Sequence, residues 1–276
     1  MQQNTFQAIA RFVAQESGIK LSDGKAYMVE TRLGPVLSRF GISSFEHLAT
    51  QLLGATAELR QAVVDAMTTN ESFFFRDRTP FELFEQIILP NLVEQKRAAG
   101  QPLRIWCAAA ATGQEPYSLA IAVLENKKLL EGIDVSILAT DISQAALATA
   151  EDGLYTQFEA QRGLTAQRLI THFEQEGTAW RVKPKLRELI EFKELNLLNP
   201  LHQVGKVDIV FCRNVLIYFD VETKCHVLSN IKKQISSDGF LMLGAAETLV
   251  GICDCFAPTK EHQNLFQPVN LGGFST

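Results

Sequence analysis

The segment Arg104-Ile-Trp-Cys-Ala-Ala-Ala-Ala-Thr-Gly-Gln-Glu-Pro-Tyr-Ser-Leu-Ala120 joins a strand-like apolar run, Leu103 to Ala108, to a helix start at Glu115-Pro116. Proline suits a first helical turn because its missing N–H would have no partner there. The alanines Ala108 to Ala111 and Gly113 leave almost no side-chain bulk at the join, so a ligand can approach the backbone closely. A second strand-like run, Val135-Ser-Ile-Leu-Ala-Thr140, ends in Asp141. In doubly wound α/β proteins an acid at the end of that strand contacts a ribose hydroxyl. Bare loop and acid together point to a nucleoside-type cofactor. A nicotinamide dehydrogenase is disfavoured, because the loop lacks GxGxxG.

Three further segments carry polar groups, and two of them end strands at the same sheet edge. Val207-Asp-Ile-Val-Phe-Cys-Arg-Asn-Val-Leu-Ile-Tyr-Phe-Asp220 reads as a buried strand followed by Arg213, Asn214 and, one apolar turn later, Tyr218. Open α/β sheets bind ligands outside the carboxyl ends of their strands, which is where these residues fall. Arg213 equally suits a strand-end ion pair, and Tyr218 a half-buried core position. Glu194-Leu-Asn-Leu-Leu198 ends another strand; Asn196 suits an adenine amine or ring nitrogen, and also an ordinary turn. Thr69-Asn-Glu-Ser-Phe-Phe-Phe-Arg-Asp77 offers Asn70, Ser72 and Arg76. Three consecutive phenylalanines cannot share one face. Either one of them borders a pocket, or the segment is an interdomain hinge with an aromatic plug and a surface Arg76-Asp77 pair.

The elements that must position these groups follow from periodicity. Up to about residue 75 the apolar residues recur at helical spacing: Phe6, Ile9, Ala10, Val13; Val29, Leu33, Val36, Leu37, Phe40; Leu59, Ala62, Val63, Ala66, Met67. Gly34-Pro35 predicts that the second of these helices is kinked or short. Thr79 as N-cap, Pro80 at the first helical position and Glu82 in a capping box predict a long helix ending before Gly100. Strands expected at 103–108, 135–140, 189–193, 207–212 and 239–244 then alternate with helices, as a parallel sheet requires. Ser143 is expected to cap a helix ending near Gly153. Between Gly153 and Asn196 the alternation lapses; a short helix at 165–173 and a strand Ala179-Trp-Arg-Val182 mark an inserted small β-subdomain at about 154–195. The last helix, 221–236, is expected to run into a turn at Ser237-Asp-Gly239. The expected fold is α/β: an all-helical domain over 1–75, a Rossmann-like sheet over 76–270, and a disordered tail at 271–276.

Composition narrows the function classes. With 276 residues, 46% hydrophobic and 21% charged, the chain is ordinary for a soluble globular protein. A net charge of −5 supplies no broad field for nucleic acid. No apolar run approaches the ~20 residues that span a bilayer, and Met1-Gln-Gln-Asn-Thr-Phe lacks the regions of a signal peptide, so a cytoplasmic location is expected. Cys107 and Cys212 fall in expected buried strands. Cys253-Asp-Cys255 has no matching half of a metal site, so inert thiols and no metal are expected.

Taken in order, Thr69–Asp77, Ile105–Ser118, Ala139-Thr-Asp-Ile-Ser143 and Phe211–Asp220 resemble the CheR family of chemoreceptor glutamate methyltransferases, over roughly residues 5–268. The resemblance implies transfer of a methyl group from S-adenosylmethionine to receptor glutamate side chains in chemotaxis adaptation, giving glutamate 5-O-methyl esters and S-adenosylhomocysteine. By motif it implies that Asn70, Ser72, Arg76, Glu115, Asp141, Asn196, Leu197, Arg213 and Asn214 contact the cofactor. Arg76 and Tyr218 resemble the residues that face the reacting centre. The chain departs from the family pattern at Ala108–Ala111, where many relatives carry Gly and Ser, at Gln114 for Glu, and at Ser72 for Thr. Alanine still leaves room for the cofactor, and Ser72 keeps the hydroxyl.

The implied partners are the cytoplasmic domains of methyl-accepting chemotaxis receptors, which in the family are acidic helical bundles. Lys25, Arg32 and Arg39, seven residues apart, fall on one flank of a continuous helix and would steer that encounter. In some relatives a glycine-bearing loop of the inserted sheet pairs with a receptor C-terminal pentapeptide. Here Glu174–Val182 is short and carries only Gly177, so independence from such a peptide is expected. A monomer is expected. The competing reading is a catalytically weak S-adenosylmethionine-binding signalling protein of the same fold; the presence of both Arg76 and Tyr218 favours the enzyme. Methylation of nucleic acid or a small molecule is disfavoured, because no Asn-Pro-Pro-Tyr-like segment is present and the chain is acidic.

Overall fold

Strands that are apolar along their whole length need cover on both faces, and this sheet has it. The computed structural model describes residues 1–249 and 251–269; the expected tail at 271–276 lies outside them. The strands are β1 (Leu103–Cys107), β2 (Val135–Asp141), β3 (Leu154–Thr156), β4 (Phe173–Glu176), β5 (Ala179–Val182), β6 (Ile190–Glu194), β7 (Val207–Cys212), β8 (Ile235–Leu243), β9 (Phe256–Pro258) and β10 (Leu265–Pro268). The larger sheet has the order β6-β2-β1-β7-β8-β10-β9. Its first five strands are parallel, and β10 and β9 close it antiparallel. One face packs Ile105, Ala139, Ile209 and Phe211 against Leu119 and Ala120 of helix Gln114–Glu125 and against Phe84 and Ile88. The other packs Trp106, Val210 and Leu241 against Val227, Leu228 and Ile231 of helix Val221–Lys232. Strand order reverses between β1 and β7, so the loops leaving those two strands diverge and open a crevice at their carboxyl ends.

The small sheet has the order β3-β5-β4, and a tight turn at Gly177 joins β4 to β5. The expected insertion of about 154–195 ends before β6, which pairs with β2 in the main sheet. Helices Gln3–Ser17, Ala26–Phe40, Phe45–Gln51 and Ala57–Met67 bury Ile9, Val13, Val29, Leu33, Leu48 and Val63 against one another. Gly34-Pro35 does not interrupt the second of them. A residue before proline is pushed out of the helix partly by its own Cβ, which Gly34 lacks.

Four other expectations are corrected. Thr79 is not an N-cap: Arg78 holds that position at φ 50, and no side-chain capping bond forms. The helix that follows is not uniform, since a π-helical segment, Phe84–Ile88, precedes Leu89–Ala99. Pro90 has no N–H to return to the carbonyl four residues back, and a wider turn absorbs that loss. The last helix stops at Lys232, and Ser237-Asp-Gly239 lies inside β8. Gly239 marks a close backbone approach there, not a turn: a Cβ would meet the Asp208 carbonyl oxygen at 2.6 Å, where the β7–β8 register shifts. Cys253 and Cys255 are joined as a disulfide, with Cα atoms 5.5 Å apart, whereas Cys107 and Cys212 are buried and free. Among the described residues no cluster of three or more His, Cys, Asp or Glu could hold a metal, and no helix is long and apolar enough to cross a membrane.

Candidate functional site

Beyond the carboxyl ends of β1, β2 and β7 lies a cleft whose empty space, with its open mouth included, is about 1020 Å³; open α/β sheets bind their ligands at this edge. Ala108, Ala109 and Ala111 line it. Their loop is tied down by backbone bonds from Ala108 N–H to Phe211 O (2.8 Å) and from Ala110 N–H to Thr140 O (2.9 Å). At Gly113, φ 95, a Cβ would meet Ala150 Cβ and the Tyr155 hydroxyl at 2.8 Å, so only glycine lets helix and loop pack here. The Tyr155 hydroxyl, on β3, donates to Thr112 O at 2.7 Å, so the small sheet braces this loop. Asp141 accepts from Ala111 N–H at 2.8 Å and from Ser143 N–H at 2.9 Å. Burial pushes its carboxyl above the ordinary value, and those amide contacts pull the other way.

Arg213 is 4% exposed. It donates to Glu115 (2.6 Å), to Asp77 (2.8 Å) and to the carbonyl of Arg76 (2.8 Å). The strand-end ion pair and the position on the cleft are therefore both realised. Burial raises the Glu115 carboxyl pKa against the pull of Arg213. By gripping Arg76 O and Asp77, Arg213 holds a left-handed turn in which Phe75, Asp77 and Arg78 lie at φ 51, 68 and 50. Non-glycine residues in that region mark strain, and strain concentrates at functional sites. The remaining nitrogen, Nε, is buried and has no hydrogen-bond partner among the described residues.

No phenylalanine of the triplet lines the cleft. Phe74 and Phe75 are core residues at 0% and 5% exposed, and Phe73 stacks beneath the guanidinium groups of Arg76 (5.6 Å) and Arg162 (4.4 Å). The cleft is bordered instead by Asn70, Ser72 and Arg76. Arg76 donates to Glu71 O at 2.9 Å. Asn196 and buried Leu197 also line the cleft, but the Asn196 amide donates to Glu16 O (2.6 Å) and its oxygen accepts from Leu198 N–H (3.0 Å). Its side chain thus makes the turn and ties the helical region to the sheet, so the expected adenine contact cannot use that oxygen freely. Asn214, at φ 59, and half-buried Tyr218 complete the lining. Among the described residues nothing hydrogen-bonds the Tyr218 hydroxyl.

All ten sequence-predicted residues thus face one cleft. Sequence reasoning missed Ser17, Ile19, Thr68 and Thr69, which close it from the helical side. Arg32 explains how: it donates to Met67 O (3.0 Å), Thr68 O (2.9 Å) and Thr69 Oγ1 (3.1 Å). It is a strut for that wall and not a free member of a basic flank. Arg39 pairs with Glu58 at 2.8 Å, and Lys25 is exposed.

Residues 70–264 match the CheR methyltransferase, SAM binding domain, and residues 4–68 match the CheR methyltransferase, all-alpha domain. The chain belongs to the CheR methyltransferase family. It is 41% identical over 255 residues to the chemotaxis protein methyltransferase of Vibrio parahaemolyticus, covering 91% of each chain. It is 43% identical over 253 residues to chemotaxis protein methyltransferase 1 of Pseudomonas aeruginosa, covering 90% of this chain and 92% of that one. The cleft fits S-adenosylmethionine, a cation at its sulfur. Glu71, Glu115 and Asp141 outnumber Arg76 and Arg213 along its lining, the alanine loop leaves backbone bare, and Arg213 Nε is a buried donor without a hydrogen-bond partner among the described residues. This CheR methyltransferase site therefore offers acidic, donor and small-residue surfaces within one crevice.

Proposed function

We propose that the chain transfers the methyl group of S-adenosylmethionine to glutamate side chains in the cytoplasmic domains of chemoreceptors, leaving glutamate 5-O-methyl esters and S-adenosylhomocysteine. The observation that carries this reading is a half-buried Arg76 guanidinium sharing one cleft with a Tyr218 hydroxyl that no group among the described residues hydrogen-bonds. The relatives named chemotaxis protein methyltransferases support it.

The bound cofactor supplies an electrophilic methyl group. Asp141, Asn70, Ser72, Glu115, Asn196, Leu197, Arg213 and Asn214 would hold it, with the alanine loop beneath. A glutamate carboxylate, with a reference pKa of about 4.3, is already ionised at neutral pH, so no residue of the cleft has to remove a proton. The protein's task is alignment and exclusion of water. Arg76, steadied by Glu71 O and by the Phe73 ring, orients the incoming carboxylate through a charge-assisted contact. Tyr218 holds it in line. Because Arg76 keeps one backbone partner and remains partly solvated, it positions the carboxylate without neutralising it.

Receptor docking belongs to the same proposal, with Lys25 and Arg39 as the steering cations and a monomeric, cytoplasmic enzyme. The tight β4–β5 turn leaves little edge for a guest strand, so a receptor C-terminal pentapeptide should bind no tighter than ~1 mM in a titration. Micromolar binding at residues 174–193 would overturn that part. The main test is transfer of tritiated methyl to receptor-containing membranes. Base-labile label in the receptor is expected; cofactor binding without any label would favour the signalling protein that binds but does not transfer.

A further inference from the structure

We infer that Glu247, which does not line the cleft, is the positioning residue for Asn214 and Tyr218; the inference deepens the methyltransfer reading and rests on it. Glu247 is 6% exposed. One oxygen of its carboxylate accepts from Gly244 N–H (2.7 Å) and Asn214 N–H (2.8 Å), the other from Val215 N–H (3.0 Å) and Leu216 N–H (2.8 Å). An ionised carboxylate has about four lone-pair sites, so nothing remains for a ligand. Three of the donors are consecutive and open the short helical turn Leu216–Tyr218. The N–H groups at a helix start have no partners within the helix, and a carboxylate is the strongest acceptor available to them. The clamp keeps Asn214 left-handed at φ 59 on the wall of the cleft and fixes the chain two residues before Tyr218.

The clamp is itself held. Buried Asn264 donates to Gly244 O (2.9 Å) and Glu247 O (3.0 Å). A Cβ at Gly244 would meet the Glu247 carboxylate at 2.8 Å, the Asn214 side-chain amide at 2.9 Å and Asn214 N at 3.0 Å. Gly244 is not at positive φ, so its lack of a side chain is a matter of space at the carboxylate.

Glu247→Gln keeps the shape but turns an amide N–H₂ toward two backbone N–H groups. Amide hydrogen exchange should then quicken at 214–216 by about tenfold or more, with 207–212 still protected. Calorimetry should show S-adenosylhomocysteine bound about tenfold more weakly. Tyr218→Phe should lower kcat about tenfold in the parent protein but less than about twofold in the Glu247→Gln background, because residues acting through one constraint are not additive. Gly244→Ala should reproduce the pattern at about threefold, and it replaces Glu247→Gln if that variant does not fold. Unchanged exchange at 214–216, exchange that quickens equally through 207–212, or an additive Tyr218→Phe effect overturns the inference. If the parent protein binds no S-adenosylhomocysteine, the reading of the cleft falls, and the exchange comparison alone decides the clamp.

Discussion

The loops that leave β1 and β7 solve the same problem in two ways. Each carries a non-glycine residue in the left-handed region, Ala111 at φ 47 and Asn214 at φ 59. In each, the N–H of that residue is bonded at 2.8 Å by a carboxylate from the next strand outward, Asp141 at the end of β2 and Glu247 just beyond β8. Asp141 accepts from the N–H groups of Ala111 and Ser143 and at the same time lines the cleft. Glu247 gives all of its roughly four acceptor sites to backbone. The first loop is short of side chains, so a light fastening suffices and its acid still lines the cleft. The second presents Arg213, Asn214 and Tyr218 to the cleft, and it is fastened by an acid whose carboxylate is filled by backbone N–H groups.

The largest effects expected follow from that division. Arg76→Ala should lower kcat by about 10²–10³-fold and Tyr218→Phe by about tenfold, as when a positioned donor is lost near a reacting centre. Affinity for S-adenosylhomocysteine should stay within about threefold in both. Asp141→Ala should do the reverse: affinity about 10–100-fold weaker, for the lost ligand contact and two orphaned amides, with kcat at saturation little changed. Calorimetry beside initial rates separates the two patterns. Wild-type turnover in Arg76→Ala, or wild-type affinity in Asp141→Ala, would erase the distinction between the loops.

Much of this was legible in the chain. Alternating apolar runs and Gly/Pro punctuation mark the parallel strands, and the acid that ends β2 takes the place at which doubly wound sheets meet a ribose hydroxyl. What was hidden has a common cause: it depends on where a side chain turns. Asn196 looks like a ligand residue, yet its amide reaches Glu16 O, 180 positions away. Arg32 looks like a surface cation, yet it props the backbone of Met67–Thr69. Glu247 follows Gly244-Ala-Ala, a spacing with no helical or strand period, so nothing local distinguishes it from a solvated acid. Thr79-Pro80 resembles a helix start, but the left-handed turn that Arg213 holds places the helix boundary one residue earlier. β9 and β10, each short, give too few residues for alternation to show.

A smaller effect probes the shared carboxylate. Burial raises the Asp141 pKa in the folded protein, so the native state holds its proton more tightly than the unfolded chain. The stability this contributes is complete below the unfolded value of about 4 and is lost as pH rises through the folded one. Asp141→Asn cannot titrate. The stability of the parent relative to this variant should therefore fall from about pH 4 upward and then level off, in urea unfolding measured across pH. A difference that grows with pH would mean that the amide contacts outweigh burial. Cofactor hydroxyls donating to the carboxylate favour its charged form, so affinity should rise over the same window.

The smallest effect compares the two strained residues directly. Left-handed backbone costs an ordinary residue roughly 1–2 kcal/mol, while asparagine tolerates it because its short polar side chain bonds locally. Replacing either residue with glycine removes that cost but adds about 0.4–1 kcal/mol of unfolded-state entropy. Ala111→Gly should therefore be neutral or stabilising by up to about 1 kcal/mol. Asn214→Gly has less strain to relieve and should be destabilising by about 0.5 kcal/mol. Urea midpoints at constant slope measure both. If Asn214→Gly proved the more stabilising of the two, the loop after β7 would be the more strained despite its four-bond clamp, and the contrast between the loops would have to be reversed.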